Sequence, residues 1–69
     1  MLHIYDVVKL KNNIPAQALP AGIRGTILMV YRQLLRPPVY EVEFVDDEGT
    51  TITITQVQEE DIEVFLQAR

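Results

Sequence analysis

From Tyr40 to Phe44 the chain alternates without a break: Tyr40, Val42 and Phe44 fall on one side, Glu41 and Glu43 on the other. Successive side chains of a strand point to opposite faces, so this run reads as a half-buried β-strand. Upstream, Gly22-Ile-Arg-Gly-Thr-Ile-Leu-Met-Val-Tyr31 places a glycine-punctuated bend ahead of a second apolar run. The two segments predict an antiparallel pair, and with it an all-β fold.

The remaining strands follow from the same periodicity. Tyr5-Asp-Val-Val-Lys-Leu-Lys11 predicts a first strand, ended by Asn12-Asn13 and Pro15. Residues 12–22 form a long connection, and Pro20-Ala-Gly22 turns the chain into a second strand over Arg24–Tyr31. Gly25 inside that strand predicts a bulge or a sharp bend. Arg32-Gln-Leu-Leu-Arg-Pro-Pro38 is expected to protrude as a loop, because consecutive prolines do not continue a ladder. Strand three is expected over Val39–Val45, and Asp46-Asp-Glu-Gly49 supplies a tight turn. In strand four, Thr50–Val57, the pattern puts Thr51, Thr53 and Thr55 outward and Ile52 and Ile54 inward. Gln58–Asp61 fits one helical turn and Ile62–Leu66 a fifth strand, with a helix over residues 58–68 as the alternative. These elements describe a small five-stranded SH3-like barrel with a long first loop and a short helical turn before the last strand. Its core is expected to hold Val8, Leu10, Ile27, Met29, Tyr40, Val42, Phe44, Ile52, Ile54 and Ile62, with Val64 or Leu66 at the end.

At 69 residues the chain makes a single domain, residues 1–69, with a thin stability margin. It has no cysteine and one histidine, so neither disulfides nor a zinc site are expected to brace it. The N-terminus lacks the basic and apolar regions of a signal peptide, and no apolar run reaches the ~18 residues of a membrane span. The expected location is the cytoplasm. Lys9, Lys11, Arg24, Arg32 and Arg36 face only Asp6 in residues 1–36, whereas residues 37–69 carry nine acids against Arg69. The net charge of −4 argues against a phosphate-backbone ligand.

No constellation of residues suggests catalysis. Serine and cysteine are both absent, which removes the commonest nucleophiles. His3 lies in the N-terminal tail, where a histidine without a chemical role is expected. Asp46-Asp47-Glu48 lacks calcium-loop spacing and reads as a turn. Gly22-x-x-Gly25 precedes a strand and lacks the Lys-Ser/Thr of a phosphate loop. Glu59-Glu60-Asp61 and Glu63 read as a solvated acidic patch. The expectation is a non-enzyme without cofactor or metal.

Asp6-Val-Val-Lys-Leu, Ile14-Pro, Gly22-Ile-Arg-Gly-Thr-Ile and Tyr40-Glu-Val-Glu-Phe-Val-Asp46 resemble a family of small bacterial proteins known only as a domain of unknown function. The resemblance spans about residues 5–66. Gly-x-x-Gly-Thr-Ile followed by Tyr-x-Val-x-Phe is also similar, more distantly, to KOW-type and nitrile-hydratase β-subunit barrels. This implies an SH3-like fold and no catalytic residue. Family members beside toxin-like or nuclease-like partners imply an antitoxin-like or accessory role. The chain departs from the family at Leu34-Leu35 and Pro37-Pro38, where the connection is usually short.

Leu34, Leu35, Pro37 and Pro38 put large apolar groups where the chain should meet water, and Ile14 and Leu19 could extend that patch. They are the expected protein-binding residues, for another protein or a second copy. The alternative is that they fold back to cap the barrel. A competing reading is a KOW-like RNA-contacting domain using the five N-terminal cations, with Tyr5 and Tyr31 for stacking. One contiguous basic face would favour RNA, and cations interleaved with acids would favour protein. Neither a membrane nor a small-molecule substrate is expected.

Overall fold

The computed structural model describes residues 2–68. Its five strands are β1 (Val7–Leu10), β2 (Arg24–Gln33), β3 (Arg36–Val45), β4 (Thr51–Gln58) and β5 (Ile62–Leu66). All pairings are antiparallel, in one sheet ordered β4-β3-β2-β1-β5. Single helical turns lie at Pro15–Gln17 and Glu59–Asp61, the second joining β4 to β5. The C-terminal segment is therefore a strand and not a helix. Among the described residues no ladder links β4 to β5, so the sheet is open and keeps two edges. No helix among them is long and apolar enough to cross a membrane.

Val8, Leu10, Ile27, Tyr40, Val42, Phe44, Val57 and Ile62 are buried although they come from one sheet, which must therefore coil around them. Bulges decide which residues reach this core. Ile27 pairs with Val42 but Met29 with Glu41, so Leu28 is an extra residue. Beyond it the phase of β2 inverts: Val30, opposite Tyr40, packs on the core, and Met29 turns outward. In β4, Thr53, Thr55 and Val57 pair with Phe44, Val42 and Tyr40, and directly opposed residues share a face. Thr53 and Thr55 thus face inward and Ile54 outward, the reverse of the sequence expectation, whereas Thr51, opposite Val45 beyond a register shift at Ile52, faces outward as expected. Ile54 is 52% exposed and Ile52 45%. Fully buried Phe44 leaves room opposite for a threonine, and an isoleucine there would overpack the site. Val64 and Leu66 also lie outside the core, exposed on edge strand β5.

Gly25 carries no bulge; its role is close approach. A Cβ there would lie 2.5 Å from Val42 Cγ1 and 2.9 Å from both Phe44 Cδ1 and the Glu43 carbonyl oxygen. Leu19, expected at the surface, is buried instead. The Ile14 and Leu19 backbones exchange hydrogen bonds of 2.7 and 3.2 Å, folding the long loop into a miniature hairpin that drops Leu19 into the core. Ile14 packs against the same core, half-buried.

Two polar groups pin the ends of the chain. Asp6, 3% exposed, accepts the His3 N–H at 2.9 Å and the Ala68 N–H at 2.7 Å. Burial opposes its ionisation, but these two donors and the nearby His3 ring outweigh burial and hold the carboxyl below the ordinary aspartate range. Tyr40 donates its hydroxyl proton to Glu59 Oε1 at 2.7 Å and accepts the Leu2 N–H at 3.3 Å. Burial, then the bond to Glu59, raises its pKa.

Gly25→Ala should lower stability by roughly 1–3 kcal/mol, seen as a reduced urea midpoint, because Val42 and Phe44 must move for the new methyl. Asp6→Asn should cost roughly 1–3 kcal/mol at neutral pH by leaving a buried N–H without an acceptor. A depressed carboxyl stabilises the fold above its unfolded value of about 4 and loses that contribution as pH falls through the lower folded value. The difference between wild type and Asp6→Asn in urea midpoint should therefore shrink on acidification below pH of about 4.

Candidate interaction surface

The two central strands outrun their neighbours. β1 pairs with β2 only as far as Thr26, and β4 meets β3 no further than Val39 opposite Gln58. Past these points β2 and β3 continue alone as a two-stranded arm, turned by Leu34 and Leu35 between the paired Gln33 and Arg36. The expected loop at residues 32–38 is therefore strand, with a two-residue turn. Pro37 and Pro38 fit because β3 has no β4 partner there, and a bulge between Tyr31 and Gln33 interrupts pairing on the other side.

Leu34 and Leu35 stand 89% and 96% exposed at the tip, and neither folds back over the core. Leu35 also holds a left-handed backbone, φ 60°, which β-carbon crowding disfavours and for which glycine or asparagine is the usual choice. A large apolar residue thus occupies a site where local energetics favour a small or polar one. Of the six residues singled out from the sequence, Leu34, Leu35, Pro37 and Pro38 are together on this arm. Ile14 and Leu19 are not part of that patch, because they pack into the core.

The outer face of the sheet carries Met29, Ile52 and Ile54, which the sequence pattern assigned to the core, beside Tyr31, a stacking residue of the RNA reading. Register places Met29 and Tyr31 on β2 and Ile54 on β4 there, and with Ile52, the residue skipped at the β4 register shift, all are more than two-fifths exposed. Between these two apolar rows run Glu41 and Glu43 of β3. Glu41 accepts the Tyr31 hydroxyl at 3.4 Å, and Glu43 accepts the Thr51 hydroxyl. The inversion of β4 was not legible because its own alternation fits either phase.

At the root of the arm lies a groove of about 580 Å³, lined by Leu2, Pro37, Pro38 and Ile62 with Glu59, Glu60 and Glu63 beside them and Lys11 also contributing. Lys9 and Arg24 are likewise set near acids. Lys9 Nζ and Arg24 Cζ lie 4.7 and 4.2 Å from the centre of the Phe65 ring, and both residues border the concavity that Asp46 and Asp47 line. The Asp46 carboxylate accepts the Glu48 and Thr50 N–H groups, each at 2.9 Å, and so builds its own turn.

Relieving the strain at the tip is a direct test of its local energetics. Leu35→Asn should raise stability by about 0.5–1 kcal/mol, since asparagine tolerates the left-handed region. A small rise in melting temperature in dilute solution is the measurement.

No curated protein and no solved structure matches the chain. Residues 4–64, nearly its whole length, match the model of the family described as domain of unknown function DUF4926. That stretch runs from the Asp6 clamp through the Gly25–Phe44 contact to β5, so the chain belongs to the DUF4926 family.

Proposed function

We propose that the chain is a non-catalytic protein-interaction module with an SH3-like fold. The barrel reading is supported by the strand order, with β5 beside β1, and by the helical turn between β4 and β5. The observation that carries the functional reading is the inversion of β4. Ile52 and Ile54 meet water while Thr53 and Thr55 line the interior, and β2 across the outer face holds Met29 and Tyr31. Apolar rows of this kind on a small domain mark a surface meant to be covered.

The partner this face fits is a protein presenting apolar groups around a basic centre, complementary to Glu41 and Glu43. An antitoxin-like or accessory subunit of a basic partner is such a role. The setting of Lys9, Lys11 and Arg24 beside acids favours protein over RNA, because phosphate recognition needs a clustered basic patch.

Ile52→Thr with Ile54→Thr leaves the core untouched and keeps β propensity, so melting should move little. The doubly substituted protein should fail to capture from native extract the protein that wild type captures. Reconstitution with that purified partner should show the same loss. Tight, salt-sensitive RNA binding in fluorescence anisotropy, with capture unaffected by the substitutions, would replace this reading with the RNA-contacting one.

A further inference from the structure

We infer that the chain forms a two-fold dimer in which the Leu34–Leu35 tip of each copy seats in the groove at the root of the partner's arm. This rests on the reading of the chain as an interaction module and names one occupant for one of its surfaces, a second copy. Three observations point there. The tip pairs two exposed leucines with Arg36, and the groove sets Leu2, Pro37 and Pro38 beside Glu59, Glu60 and Glu63, which outnumber its one cation, Lys11. Apolar character and net charge are thus complementary between two parts of the same chain. The tip does not occupy its own groove, since both leucines are almost fully exposed. And Leu35 is kept at a strained position, which favours a role in contact over one in the turn itself.

The placement of the two parts suits a closed pair. The groove includes Pro37 and Pro38, a few residues below the tip on the same arm, an offset of roughly 7–10 Å at strand rise. Two arms lying antiparallel about a two-fold axis put each tip against the other's root. Both contacts form at once, and no further copy can add. Prolines on the β3 side of the arm remove backbone donors there, so the contact is made by side chains and not by strand addition.

Sedimentation of the full chain from micromolar to millimolar concentration should show a monomer–dimer equilibrium. Leu35→Asn, which keeps the fold, should raise the dimer Kd by about tenfold or more. The specific test uses charge. Arg36→Glu alone and Glu60→Arg with Glu63→Arg alone should each be monomeric, because every tip then meets a groove of like charge. Mixed together they should form a heterodimer, since one contact is then native and the other has both charges reversed. A wild type that stays monomeric at millimolar concentration would overturn the inference. So would a Leu35→Asn protein that dimerises unchanged, or monomeric charge variants that fail to associate on mixing. Capture of a different protein through Ile52 and Ile54 reads out separately, so a monomeric wild type that still captures its partner defeats the dimer alone. Loss of both defeats the interaction reading as well.

Discussion

Everything in this fold is phased by the contact between Gly25 and Phe44. With no side chain at position 25, the Phe44 ring closes against the β2 backbone, and Val42 follows it. An aromatic covering a cross-strand glycine lets a sheet coil without leaving a void. The inner face of β3 is thereby set as Tyr40, Val42 and Phe44, and each neighbouring strand aligns to it. β2 adds Leu28 as a bulged residue to bring Val30 opposite Tyr40, and β4 offers threonines and Val57.

A domain this small has little core to spare, and its ends are held by polar bonds. Asp6 reaches both His3 and Ala68, and Tyr40 reaches Leu2 and the helical turn through Glu59. Among the described residues no buried side-chain polar atom lacks a hydrogen-bond partner. Satisfied groups of this kind stabilise modestly while made and destabilise strongly when one partner is removed. The turn at Asp46–Gly49 follows the same economy, its acid capping N–H groups within the turn.

Against this tight interior, several large apolar side chains are exposed. Tip leucines, outer isoleucines and the Phe65–Leu66 edge all meet water, and Leu35 does so from a strained backbone. Phe65 is held by Lys9 and Arg24, but the core does not require the tip leucines or the outer isoleucines to be apolar. The proposed associations would account for the tip and the outer face together: an acidic row suits a basic partner, and an arginine beside the tip suits an acidic groove.

The sequence by itself determined the five strands, the helical turn before the last, the buried face of β3 and the apolar tip. Those follow from local alternation and turn residues, both of which are properties of neighbours in the chain. It also made Gly25 conspicuous, though not its reason. Only the tertiary structure decided that Leu19 enters the core, that Met29 turns out past a bulge, and that β4 shows its isoleucines to solvent. The length of the arm was hidden too, because Pro37 and Pro38 end a strand only where a neighbour needs their missing donors. A strand's own alternation has two equivalent phases, and the choice between them belongs to the partner across the ladder.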